Sequence, residues 1–281
     1  MKSLYLTDLD GTLLNKESVL SKTSLDIINT FIKNGGLFSY ATARSYNSSS
    51  IVTKGLNIEL PVILYNGGFI YDIKQNKYVH KTLFNKSEIL KLKSIAKSSG
   101  LTPLVYTLIN GEEKILWNNS SKLSDGFKYY LSNRANDKRL TPVDSFEESF
   151  SGDIFYITFI ENYDDLKPLY ENIKNCSEFN VVFQQELYRQ EYWCEVMPSQ
   201  ASKANALKIL KELIDCDELI AFGDSFNDIP MFEIADKSFA VKNAKDKLKQ
   251  ISTDIIGYNY EDSVALKLLE LEREKCRMGE M

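Results

Sequence analysis

A single histidine, His80, is all the imidazole this chain has, and the scarcity excludes a large class of hydrolases. A Ser-His-Asp hydrolase needs a histidine beside an activated serine, and no Gly-x-Ser-x-Gly run accompanies this one. His80 sits in Asn76-Lys77-Tyr78-Val79-His80-Lys81, which reads as an ordinary exposed strand. Cysteine is scarce too: Cys176, Cys194, Cys216 and Cys276 form no C-x-x-C pair, so neither structural zinc nor a disulfide framework is expected, and free thiols are. A cysteine-phosphatase loop would need an arginine six residues after a cysteine, where Val182, Gln200 and Phe222 stand. With six prolines and thirteen glycines in 281 residues, the chain is neither fibrous nor of low complexity. No stretch approaches the roughly eighteen uncharged apolar residues that span a bilayer. The run Leu4-Tyr5-Leu6 is too short for a signal segment and soon meets an acid, so a cytoplasmic protein is expected. Excess positive charge is also missing: 34 Lys and Arg stand against 39 Asp and Glu, a net charge of -5. That balance speaks against nucleic acid as a partner, and nothing indicates a membrane or an obligate protein partner.

What the chain does have is an ordinary globular composition, 43% apolar and 26% charged, and enough length for two domains. The first eighty or so residues alternate short apolar runs with helical patterns, the rhythm of a parallel sheet covered by helices. Leu4 to Leu6 is a strand ending at Asp8. Leu25, Ile28 and Ile32 mark a crossover helix over Lys22 to Lys33 that Gly35-Gly36 stops. Leu37 to Tyr40 runs as a strand into Ala41-Thr42-Ala43-Arg44, and Val62 to Tyr65 into Asn66-Gly67-Gly68. Asn85-Lys86-Ser87-Glu88 is a capping-box-like start to a helix ending near Gly100. From there strand-like runs such as Ile154 to Ile160 and Val181 to Phe183 suggest an inserted α+β domain. After Tyr192 to Val196 the earlier rhythm resumes, with a helix over Lys203 to Ile214 and strands at Leu219 to Phe222 and Phe239 to Val241.

Two acidic groups carry the chemistry. In Asp8-Leu9-Asp10-Gly11-Thr12 the carboxylates are two residues apart, so both leave the same side of the backbone if the chain is still extended there. Like charges that close require a cation or a proton. Gly11 permits a sharp departure from the strand. The spacing is wrong for a calcium EF-hand loop, whose glycine comes five residues after the first acid rather than three. The second group, Gly223-Asp224-Ser225-Phe226-Asn227-Asp228, again follows a strand. Ligands of open parallel sheets sit outside the carboxyl ends of the strands, so Asp8, Asp10, Asp224 and Asp228 could converge on one hard cation, for which oxygen ligands suit Mg²⁺. Taken alone, Asp224 and Asp228 read more readily as caps on the following helix and its first turn, and Lys203 as a surface lysine.

With these motifs in this order, the sequence resembles the haloacid dehalogenase-like phosphatase superfamily, and more narrowly its Cof-type members with a large cap. The resemblance implies an α/β protein: a Rossmann-like parallel-sheet core over residues 1–82 and 188–281, with an inserted α+β cap over 83–187 that holds substrate specificity. It implies that Asp8 is the nucleophile of an aspartyl-phosphate and that Asp10 protonates the leaving oxygen and then activates water. Asp8, the Asp10 backbone carbonyl and Asp224 would hold Mg²⁺, with Asp228 supporting the shell. Thr42 would bind the transferring phosphoryl group and Lys203 would neutralise it, with Asn227, Asn66 and Arg44 as further phosphate contacts. Relatives usually carry Gly where Ala43 stands, a departure that bears on how closely that loop approaches its ligand. The implied activity is Mg²⁺-dependent hydrolysis of a small phosphorylated metabolite such as a sugar phosphate, a nucleotide or pyridoxal phosphate. A phosphomutase of the same fold and a non-catalytic sensor of a phosphorylated ligand are the rival readings.

Overall fold

The computed structural model describes residues 2–185 and 189–279. The chain divides into two compact units, Met1–Lys81 with Ser202–Met281, and Thr82–Ala201. In chain order the first segment holds β1 (Ser3–Thr7), α1 (Lys22–Lys33), β2 (Leu37–Tyr40), α2 (Tyr46–Val52), β3 (Val62–Leu64), β4 (Phe69–Asp72) and β5 (Lys77–Lys81). The second unit holds α3 (Lys86–Ser99), β6 (Leu104–Ile109), β7 (Glu112–Asn118), α4 (Asp125–Ser132), β8 (Leu140–Val143), β9 (Asp153–Glu161), α5 (Tyr163–Ile173), β10 (Phe179–Gln185) and β11 (Tyr192–Pro198). The returning segment adds α6 (Lys203–Ile214), β12 (Glu218–Gly223), α7 (Ile229–Ile234), β13 (Lys237–Ala240), α8 (Asp246–Ile251), β14 (Asp254–Ile255) and α9 (Ser263–Met278).

The first unit is built on a five-stranded sheet in the order β14-β13-β12-β1-β2, with every neighbouring pair parallel. All five residues of β1 are buried, as expected of a parallel strand covered on both faces. Helix α1 begins where the Ser21 hydroxyl accepts the Ser24 N–H, and it buries Ile28 and Phe31. From β1 the chain adds β2 on one side, whereas the returning segment adds β12, β13 and β14 on the other. The crevice at the carboxyl ends of β1 and β12 is therefore the place where such a sheet takes its ligand. A small antiparallel sheet, β3-β4-β5, completes the unit, joined to the end of β2 by a parallel bridge between Ala41 and Ile63. His80 lies on β5, half-buried.

The second unit has a six-stranded sheet in the order β10-β11-β9-β6-β7-β8, antiparallel apart from the β7–β8 pair. Its core joins Leu92 of α3 and Leu166 and Leu169 of α5 to Val105, Ile157, Phe159, Cys194 and Val196 of the sheet. Asn85 caps α3 through a reciprocal pair with Glu88, and Gly100 ends it in the left-handed conformation. The expected second boundary, 187/188, lies outside the described residues. Assigning everything after it to the parallel core is corrected by β11, which pairs antiparallel with β10 and β9 and puts Cys194 and Val196 into the second unit's core. The unit therefore runs to Ala201. All four cysteines are free thiols. Among the described residues no helix is long and apolar enough to cross a membrane.

Candidate active site

The first acidic motif begins as the sheet ends. Asp8 still donates its backbone N–H to the Phe222 carbonyl at 3.0 Å, extending the β1–β12 ladder by one residue. The chain then turns into a single π-helical loop over Leu9–Leu13, closed by the Leu14 N–H on the Leu9 carbonyl at 2.9 Å. Because extension stops at Leu9, the two carboxylates are no longer related by the alternation of an extended strand. Asp8 is buried, whereas Asp10 is exposed and both its oxygens are gripped by Arg44, Nε at 2.7 Å and Nη2 at 2.6 Å. Gly11 has φ +80°, and a Cβ there would stand 2.5 Å from Asp224 Oδ2. Only glycine lets the two acidic loops approach this closely.

Lys203 binds the cluster together. It opens α6, directly after the Ser202 cap, and its fully buried ammonium donates to Asp8 Oδ1 at 2.5 Å and to Asp228 Oδ1 at 2.6 Å. A cation at the positive end of a helix is locally unfavourable, and the two carboxylates reverse that. The other oxygen of Asp228 accepts the N–H groups of Asp224 and Ser225, both at 3.0 Å. Asp228 thus caps its turn and pairs with the lysine at once. Thr12 Oγ1 donates to Asp224 Oδ1 at 3.1 Å. One carboxylate oxygen from each of Asp8, Asp224 and Asp228 lies within 4.8 Å of the others; the carboxylate of Asp10 is outside this group.

Burial governs the ionisation of these side chains. It pushes Asp8 well above the usual carboxylate range; Lys203 opposes the rise, and Asp228 and Asp224 add to it. Asp224 is pushed up to about 7 by burial and then by Asp228. Burial works against the charge of Lys203, but Asp228 and Asp8 outweigh it and its pKa rises. One ammonium among three crowded carboxylates leaves the cluster holding protons that a cation could displace, and its donors are hard oxygens. That donor set fits a divalent cation such as Mg²⁺.

Two further loops complete the site. Thr42, fully buried just after β2, accepts the Arg44 N–H on its hydroxyl at 3.1 Å, and its carbonyl accepts the Asn66 N–H at 2.9 Å. Tyr65, Asn66 and Gly67 are consecutive left-handed residues, with φ 51°, 54° and 99°. A methyl group on Gly67 would overlap the Ser202 carbonyl, next to the catalytic lysine candidate. This strained turn aims the Asn66 amide oxygen at Asn227, whose Nδ2 donates to it at 3.0 Å. Thr42, Asn66 and Asn227 thus lie on loops beside the start of α6, where Lys203 pairs with Asp8 and Asp228; of the four candidate metal ligands, only the carboxylate of Asp10 is outside the cluster. Arg44, expected as a phosphate contact, is engaged with Asp10. Sequence reasoning missed Asn243, whose Nδ2 donates to the Gly11 carbonyl at 2.8 Å; a lone asparagine after a strand carries no spacing that announces such a role.

Comparison with known proteins gives the family and the fold. The family model described as haloacid dehalogenase-like hydrolase matches residues 5–268. The chain is 28% identical over 276 residues to the 5-amino-6-(5-phospho-D-ribitylamino)uracil phosphatase YwtE of Bacillus subtilis (strain 168), covering 92% of this chain and 94% of that protein. It is 24% identical over 270 residues to YitU, a phosphatase of the same name from the same organism, covering 95% and 96%. In fold it is similar to a haloacid dehalogenase-like hydrolase from Bacteroides thetaiotaomicron, with a TM-score of 0.79 at 23% identity over 96% of this chain and 100% of the other.

Proposed function

The chain belongs to the haloacid dehalogenase-like hydrolase family, and on that premise we propose that it is a Mg²⁺-dependent phosphatase that carries the phosphoryl group of a small metabolite on Asp8. The observation that carries this reading is the buried Lys203 ammonium bridging Asp8 and Asp228 beside Asp224. Asp8 attacks phosphorus, the bond from phosphorus to the ester oxygen breaks, and the leaving oxygen takes a proton from Asp10. Water, deprotonated by Asp10, then attacks the acyl-phosphate and releases inorganic phosphate with Asp8 restored.

Each residue has a physical reason for its part. Attack requires ionised Asp8, and the contact with Lys203 favours that form against burial. Asp10 is exposed and held at both oxygens by the Arg44 fork, so one arm of that fork must release for Asp10 to take up the proton it gives to the leaving oxygen. Thr42 and Asn227 offer donors to the equatorial oxygens, where the transition state spreads its charge. Asp8, Asp224 and the Asp10 backbone carbonyl would hold Mg²⁺, with Asp228 steadying that shell. When bound, Mg²⁺ neutralises charge on the phosphoryl oxygens. The second unit selects the leaving group, and the protein works in the cytoplasm on a sugar phosphate, a nucleotide, pyridoxal phosphate or a ribityl phosphate of the kind named for the Bacillus relatives.

Inorganic phosphate released from a panel of these esters, with Mg²⁺ and with EDTA, tests the reading. Mg²⁺-dependent release is expected, and hydroxylamine should trap the acyl-phosphate as a hydroxamate on the Asp8 peptide. No release from any ester, or isomerised sugar with little free phosphate, would overturn it.

A further inference from the structure

The loop that carries Asp8 and Asp10 is held from behind by two asparagines outside every motif described above. Asn243 donates Nδ2 to the Gly11 carbonyl at 2.8 Å, and its Oδ1 accepts the Asn259 backbone N–H at 3.1 Å. Buried Asn259 in turn donates Nδ2 to the Leu14 carbonyl at 2.8 Å. The two amides thus grip both ends of the Gly11–Leu14 stretch. The same segment also holds the second acidic loop through its backbone: Lys245 N–H donates to the Asp224 carbonyl at 2.8 Å and Val241 N–H to the Gly223 carbonyl at 3.2 Å. Gly11 lies at the junction, with its Cα side pressed against the Asp224 carboxylate.

We propose that Asn243, relayed through Asn259, is a positioning residue that sets the separation between the Asp8–Asp10 loop and Asp224, and hence the geometry of the metal-binding oxygens. The inference rests on the phosphatase reading, but the contact itself exists whether or not that reading holds. Gly11 has no side chain to anchor it, and its left-handed conformation sits between the Asp224 contact and the Asn243 amide. Loss of one such hydrogen bond corresponds to roughly a fivefold change in an equilibrium or a rate.

Asn243→Asp is the informative variant, because it keeps an acceptor for the Asn259 N–H while replacing the donor to Gly11 with a carboxylate. The Mg²⁺ concentration for half-maximal phosphate release should rise roughly fivefold or more, with substrate KM at saturating Mg²⁺ little changed. Hydrogen–deuterium exchange of a peptide spanning 8–15 should speed up in the metal-free full-length protein, since Leu14 N–H closes that loop. Lys242→Ala, an exposed neighbour, should leave both readouts as in the wild type. If Asn243→Asp and Asn243→Ala both keep wild-type exchange over 8–15 and wild-type Mg²⁺ dependence, the proposal is wrong. A lower melting temperature with unchanged Mg²⁺ dependence and unchanged exchange also overturns it, in favour of a purely structural contact. If the wild-type protein releases no phosphate, the phosphatase reading falls and the exchange measurement alone decides the role of Asn243.

Discussion

The two units bury polar groups in different ways. The first encloses Asp8, Lys203 and Asp228 completely or nearly so, together with Thr12, Thr42 and Asn66. The second buries Thr107, Ser149, Thr158 and Glu195, and otherwise fills its interior with side chains such as Phe159, Leu166, Leu169 and Val196. Burying charge is costly unless it is paired, so on the proposed reading the first unit holds its three ionisable groups in one spot for chemistry, and the largely apolar interior of the second unit supplies shape. The largest test of that contrast is Asp8→Asn, which removes a buried carboxylate while keeping its size. Turnover should fall at least about a thousandfold with no loss of thermal stability; more than about a tenth of the Mg²⁺-dependent rate surviving would remove Asp8 from its role.

Next in size is Lys203→Met. It leaves Asp8 and Asp228 buried without their cation, and breaking such a pair costs about 3–5 kcal/mol, read from urea unfolding. Mg²⁺ should restore part of that loss by neutralising the same oxygens. An equal penalty with and without Mg²⁺ would mean that the cluster does not hold the ion. Phosphate release should be nearly as impaired as in Asp8→Asn.

Asp224 gives a smaller, pH-dependent effect. Its carboxyl is raised by burial to about 7, so in the folded protein it keeps a proton that the unfolded chain loses near pH 4. The associated cost to stability is absent well below pH 4, grows as the pH climbs, and is complete above about 7. Mg²⁺ must displace that proton, so the half-saturating Mg²⁺ concentration should fall between pH 6 and 8, by up to about tenfold per unit below 7. A flat Mg²⁺ dependence over that range would show that Asp224 is ionised without the metal.

The same contrast explains what could be read from the sequence. Helices α1 and α6 occupy the expected residues, because apolar spacing and the caps Ser21 and Ser202 are local signals. The strand ends that present Asp8 and Asp224 were equally legible, since a buried parallel strand is a short apolar run wherever it lies. The exposure of Asp10 and its capture by Arg44 were not, because they belong to a turn in which Gly11 meets Asp224 from the far end of the chain. Asn243 acts through a backbone carbonyl, which leaves no mark on the sequence of the loop it holds. Strand β11 belongs to the second unit and not to the parallel core, because a short apolar run fits either setting and the pairing of Phe183 with Cys194 decides.

The smallest expected effect lies in the second unit. Ser124 caps α4 by accepting the Phe127 N–H at 3.1 Å and donates its own hydroxyl to the Ile160 carbonyl at 2.7 Å, so it ties the helix to β9. Ser124→Ala should cost about 1 kcal/mol in urea unfolding, the usual value of such a cap. If the second unit contributes shape and the first contributes chemistry, kcat on the smallest phosphate monoesters should stay at the wild-type value, and any change should fall on KM for substrates with large leaving groups. A fall in kcat on a small ester approaching that of Lys203→Met would place a reacting group in the second unit and undo the contrast.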